Sequence, residues 1–161
     1  MPLSYDSISY QSKEIIDYKY DICFIGGFAD NGFNEKIKNM QEMLGAFVES
    51  GLKCGFSVNG NVSHKIENSV LNESKVSLNI HDLYQRVVGL DSNERTFKSL
   101  GCNGLLLCDD VKQVKELFPF CYCSNSSKDL IDKAKELNFD VISITNHDSY
   151  SYTEELAKYA K

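Results

Sequence analysis

Gly26 and Gly27 stand in the stretch YDICFIGGFADNG, after a strand-like run and before a helical pattern. Amide groups exposed at such a turn, with a helix N-terminus beyond it, favour phosphate, and glycine permits close approach of the backbone. A plain tight turn before a long helix would use the same pair. The spacing is not G-x-G-x-x-G, and no G-x-x-x-x-G-K-[ST] occurs, which argues against a dinucleotide fingerprint and a P-loop. Further along, NERTFKSLG holds Glu94, Arg95 and Lys98. On a helix beginning near Glu94, Arg95 and Lys98 are neighbours on one face and project toward a loop-bound diphosphate. Two cations at a helix start oppose the macrodipole, a small cost that a bound anion offsets; a solvated helix face is the plainer reading. Glu94 suits a helix start and is equally able to accept a ribose hydroxyl. His81 ends SLNIH, in a loop where a polar group meets a sugar or phosphate or does acid and base work; a structural or solvated histidine fits the same position.

The elements that must position these residues alternate. Strands are expected at 21–25, 53–58, 75–80, 105–108 and 120–123, with a further one at about 140–144. Helices are expected from Asn34 to Ser50, where Ile37, Met40, Met43 or Leu44, Phe47 and Val48 recur at helical spacing and Gly51 follows as a stop, and at 63–72, 94–101, 111–117, 126–137 and 153–160. The segment Ser77–Phe118 compresses the pattern: a strand, a polar loop, an Arg-led helix and the buried run LLLC. Short apolar runs separated by helices predict an α/β fold, a single Rossmann-like domain with a mainly parallel sheet and helices on both faces. In such sheets the loops at the strand C-termini carry the ligand site. Residues 1–20, with Tyr5, Tyr10, Tyr18 and Tyr20 among Ser, Asp and Lys, read as an arm or linker with a short helix near 13–17; residues 21–161 form the domain.

The chain has 161 residues, 42% hydrophobic and 25% charged, with 17 basic and 23 acidic side chains and a formal charge of −6. That size suits one domain with its own core. The acidic balance argues against a nucleic-acid-binding surface but leaves room for a local anion pocket. Of six cysteines, Cys23, Cys54 and Cys108 sit in apolar strands, where a free thiol acts as a small hydrophobe. Cys121 and Cys123 form C-Y-C, not C-x-x-C, and no His or Cys cluster completes a zinc set, so no metal site is expected. With no apolar span of about 18 residues, signal-peptide core or prenylation motif, the expected location is the reducing cytoplasm, with no membrane span.

Taken in order, YDICFIGGF, SKVSLNIHD, NERTFKSLGCNGLLLCDD, ELF and HDSYSY resemble the C-terminal half of GT-B glycosyltransferases of the spore-maturation-protein type, over roughly residues 20–152. The resemblance implies a nucleotide-sugar donor site. It carries Gly26 and Gly27 to the glycine turn beside the donor, His81 to the His of LNI-H and Arg95 to the Arg of an R-x-F motif. It also carries Asn103 and Gly104 to the turn before LLLC, and His147 and Tyr150 to a late H-x-x-Y pattern. Lys98 departs from it, standing where the commoner pattern has a Glu that accepts the ribose hydroxyls. Lysine cannot accept them, but it can hold a phosphate as a point charge.

The implied activity is hexosyl transfer from a nucleotide diphosphate sugar, which is a substrate and not a cofactor; no catalytic residue is assigned. Metal-independent transfer is expected, with Asp109-Asp110 after LLLC keeping a metal open. GT-B catalysts react in a cleft between two Rossmann domains. An acceptor-binding partner chain, or a homodimer that builds the cleft, is therefore expected. The alternative is a non-catalytic module that binds a nucleotide or sugar phosphate and acts by sequestration or partner regulation.

Overall fold

Along β1 (Tyr20–Gly26), Ile22 and Phe24 join one apolar cluster and Cys23 another, the period-two pattern of a strand covered on both faces. The computed structural model describes residues 6–15, 17–27, 35–90, 92–102 and 104–138. Within them β1, β2 (Cys54–Val58), β3 (Ser74–Asn79), β4 (Leu105–Cys108) and β5 (Tyr122–Cys123) form one all-parallel sheet in the order β2-β1-β3-β4-β5. The helices of the described residues are α1 (Glu35–Glu49), α2 (His64–Asn72), α3 (Leu83–Val88), α4 (Glu94–Gly101), α5 (Lys112–Leu117) and α6 (Ser127–Leu137). This is the expected α/β, Rossmann-like domain.

The two faces of the sheet differ in chemistry. Ile22, Phe24, Val76, Leu78, Ile80 and Leu107 pack against Met40, Leu44 and Phe47 of α1 and Leu130 and Ala134 of α6, a wholly apolar core. Toward α2 and α4 the strands present Cys23, Ser77 and Asn79, and the helices answer with Leu71, Thr96, Ser99 and Cys102, all buried. Leu106 and Cys108 extend this side under α5, against Val111, Val114 and Cys121. Buried polar groups require partners, so the mixed face builds hydrogen-bond networks and the other excludes water. Cys23, Cys54 and Cys108 lie in strands as expected; Cys108 pairs in register with Cys123, their sulfurs 3.3 Å apart, and all six cysteines are free thiols.

Two local readings change. The expected loop after β3 contains α3, closed by Gln85 Oε1 accepting from the Asp82 N–H at 2.9 Å and stopped by Gly89 in the left-handed region at φ 73°. Its Val87 and Val88 are exposed, so no apolar stripe announces it. The described part of the expected helix at 13–17, residues 13–15 and 17, is not helical. The Gln11 and Lys13 amides donate instead to the Asn68 and Asn72 side chains, at 3.2 and 2.7 Å, a local alternative to helical bonding. They bind the arm along α2, with Tyr10 buried beneath it. The expected strand at 140–144 and helix at 153–160, with His147 and Tyr150, lie outside the described residues, as does Asn103. No described helix is long and apolar enough to cross a membrane.

Candidate functional site

The sheet order turns back on itself between β1 and β3. From β1 the chain crosses to β2 on one side, and from β3 to β4 on the other. Loops leaving the two C-termini diverge and open a crevice, the usual ligand position in such sheets. Here a cleft of about 470 Å³ is lined by Ile25, Gly26 and Gly27 from the end of β1, by Asn59, Gly60 and Val62 after β2, by Glu67 of α2, and by Glu94, Arg95 and Lys98 of α4.

Arg95, in the first turn of α4, reaches back to the strand ends. Its Nε donates to the Ile25 carbonyl at 2.6 Å, and Nη1 donates to Asn79 Oδ1 at 2.7 Å and to the Ile80 carbonyl at 3.5 Å. The guanidinium lies 4.9 Å from the centre of the Phe24 ring, a favourable cation–π distance. These partners are all neutral, and no carboxylate among the described residues forms an ion pair with it. Burial pulls its pKa below the ordinary arginine value, opposed by the charges of Glu67 and Glu94; a guanidinium stays charged regardless. A Cβ at Gly26 would lie 2.2 Å from Arg95 Nη2, and one at Gly27 would lie 2.1 Å from Asn59 Oδ1. The glycine pair thus leaves room for the chain's own side chains at the mouth of the cleft.

Lys98, one turn along α4, sits between two carboxylates: Glu94 Oε1 at 3.0 Å and Glu67 at 3.4 Å. Its ammonium lies 4.8 Å from the centre of the Tyr10 ring. Burial alone would depress the Lys98 pKa, but the bonds from Glu94 and Tyr10 and the charge of Glu67 raise it above the usual lysine value. The Tyr10 hydroxyl donates to Glu67 Oε2 and lies 2.7 Å from His64 Nδ1. Burial, reinforced by Glu67, pushes the phenol up to about 12.

The cleft therefore gathers Gly26, Gly27, Glu94, Arg95 and Lys98 from the expected set. His81 lies behind it, fully buried: Nδ1 donates to Asp109 Oδ1 at 2.6 Å, and its backbone N–H is 3.0 Å from Asp109 Oδ2. Its Nε2 faces the Asn79 amide at 3.3 Å, and Asn79 in turn carries Arg95. His81 is thus two contacts from the cleft. Asp109 is held by His81, with Arg86 Nε at 3.5 Å, and Asp110 by Lys115 at 2.7 Å. Gly104 precedes β4 and so lies at the N-terminal end of the strands, away from the cleft at their C-terminal ends. Its N–H donates to Ser99 O at 3.0 Å, and a Cβ there would come within 2.9 Å of that carbonyl.

Sequence reasoning missed Glu67, Tyr10, Asn59 and Asn79. Glu67 could not be found from the sequence: only the fold shows that in α2 the neighbouring Ile66 is 57% exposed while the Glu67 side chain is only 13% exposed. An acid turned inward where an isoleucine turns outward marks a polar site. A family model described as "Glycosyl transferase-like" matches residues 32–140, more than half of the chain. No curated protein and no solved structure matches it.

Proposed function

The chain belongs to the glycosyl transferase-like family, and on that premise we propose that its cleft binds the diphosphate of a nucleotide-sugar donor. The observation that carries this is Arg95: a partly buried guanidinium held at the switch point by neutral groups, facing an open cleft. A charge drawn partly out of water and bonded to no carboxylate among the described residues, with Glu67 and Glu94 acting on it only at longer range, is favoured to meet an anion. Lys98 adds a second cation, and the amides of the glycine turn lie at the same mouth. Glu94, whose side chain is 63% exposed, accepts sugar or ribose hydroxyls in this reading. The likeness to the spore-maturation type of GT-B enzymes supports the same assignment. Arg95 and Lys98 then stabilise the diphosphate as it leaves, through charges already in place. Hexosyl transfer requires an acceptor surface from a second domain, a partner chain or a second copy.

The test is a thermal-shift and calorimetric panel of nucleoside diphosphates and their hexose conjugates. A ligand at 100 times its Kd raises stability by about 2.7 kcal/mol. Arg95→Ala should weaken diphosphate affinity by at least about tenfold, the share of one charge-assisted bond, while Arg95→Lys recovers part of it. Unchanged affinity in Arg95→Ala sinks the assignment. A second reading, binding without transfer, is favoured by the hold of Glu67 and Glu94 on Lys98. Release of free hexose from any donor by the chain alone counts against it.

A further inference from the structure

We infer that Tyr10, on the N-terminal arm, is a positioning residue of the cleft: its hydroxyl shares the Glu67 carboxylate with Lys98 and so leaves the Lys98 ammonium available to an incoming phosphate. This rests on the diphosphate reading above and adds to it a residue outside the sheet and its crossover helices.

Lys98 has two competitors for any anion that enters, Glu94 and Glu67. They are unequal. Glu94 is exposed and can turn to water, whereas the Glu67 side chain is only 13% exposed and meets little of it outside the cleft. A buried carboxylate needs donors, and each one it lacks increases its demand on those that remain. Glu67 has two described donors, the Tyr10 hydroxyl and Lys98.

The direction of the Tyr10 bond is set by its neighbours. A phenol has one proton, and Glu67 receives it, so the His64 Nδ1 at 2.7 Å donates to the Tyr10 oxygen. The high phenol pKa keeps that proton in place across the physiological range. The ring beneath the hydroxyl adds its own hold on the Lys98 ammonium, 4.8 Å from the ring centre. Tyr10 itself is held because the arm is: Gln11 N and Lys13 N bond to Asn68 and Asn72 of the helix that carries Glu67. Docking of the arm and readiness of the cleft are one arrangement.

The experiment uses the full chain and inorganic pyrophosphate, which carries no sugar hydroxyl for Glu94 to accept. Tyr10→Phe keeps the ring and removes the proton donor. It should weaken pyrophosphate binding by about tenfold in calorimetry, because Glu67 then draws Lys98 to itself. Tyr10→Phe/Glu67→Gln should restore it, since the competing charge is gone; a merely structural Tyr10 would not be rescued this way. Equal pyrophosphate affinity in wild type and Tyr10→Phe, or a double variant no better than Tyr10→Phe, overturns the inference and leaves the donor reading standing. If wild type binds nucleotide sugars but not pyrophosphate, the inference also falls, because Lys98 is not offered to phosphate. If wild type binds neither, both fall together.

Discussion

Arg95 and Gly26 occupy one space, and that sets what a methyl group at Gly26 would do. The nearest atoms to such a Cβ are the tip of Arg95, with Nη2 at 2.2 Å and Cζ at 2.7 Å. Gly26 is not among the glycines at positive φ, so alanine fits the backbone there. The side chain that must yield is long and flexible, and it can swing out of its bonds to Ile25 O and Asn79. Gly26→Ala should therefore change the unfolding midpoint little while weakening diphosphate binding by several-fold to about tenfold. Equal affinity in calorimetry would show that the guanidinium's observed pose is not the one that binds. Position 26 is where the sequence pointed to phosphate; what the glycine first accommodates is the chain's own cation.

At the scale of elements, α2 is the junction between the arm and the cleft. Its last residue, Asn72, is buried and bonds the arm twice: Oδ1 accepts from Lys13 N at 2.7 Å and Nδ2 donates to Gln11 O at 2.9 Å. Asn72→Ala should cost about 1–3 kcal/mol, the usual penalty for buried polar groups left unpaired. Urea denaturation measures this, and amide exchange at Lys13 should accelerate in the variant. A neutral result would mean that the Lys13 amide, the Gln11 carbonyl and Asn68, to which Asn72 Nδ2 also donates at 2.7–2.9 Å, find water or other partners at no cost once Asn72 is gone. The elements themselves were largely legible: β4 falls on 105–108 as expected, and α4 on 94–101. The helix α3 was not, since its cap and its glycine stop are local signals while its outward valines break the apolar period on which the reading relied.

At the scale of the whole molecule, the buried thiols and phenol set a direction for pH. Burial pushes Cys102 and Cys121 up to about 11 from an ordinary 9.0, and Tyr10 up to about 12 from 10.0. Each group keeps its proton longer in the folded chain than in the unfolded one. Between the two values the folded state binds more protons, so stability falls as pH rises. Their contribution is full below about pH 9 and is lost progressively toward pH 12. Thermal melts across that window should show a steady decline. Tyr10→Phe should make the decline shallower at its upper end, above about pH 11, where Cys102 and Cys121 have largely lost their protons and the phenol still holds its own. An undiminished slope there would place the alkaline loss on other groups.

The class of fold, the position of nearly every described strand, the glycine pair at the end of β1 and the Arg-led helix before β4 were legible in the sequence alone. These follow from composition, period and turn chemistry within a few residues of chain, and local physics suffices for them. Only the tertiary structure decided which charges face the cleft. Glu67 meets Tyr10 across 57 residues and Lys98 across 31, and His81 meets Asp109 across 28. Spacing along the chain carries no information about such partners. They are selected by the order of the sheet, which sets β1 beside β3, places α2 and α4 over the same face, and leaves Arg95 and Lys98 at the crevice between them while sealing His81 behind.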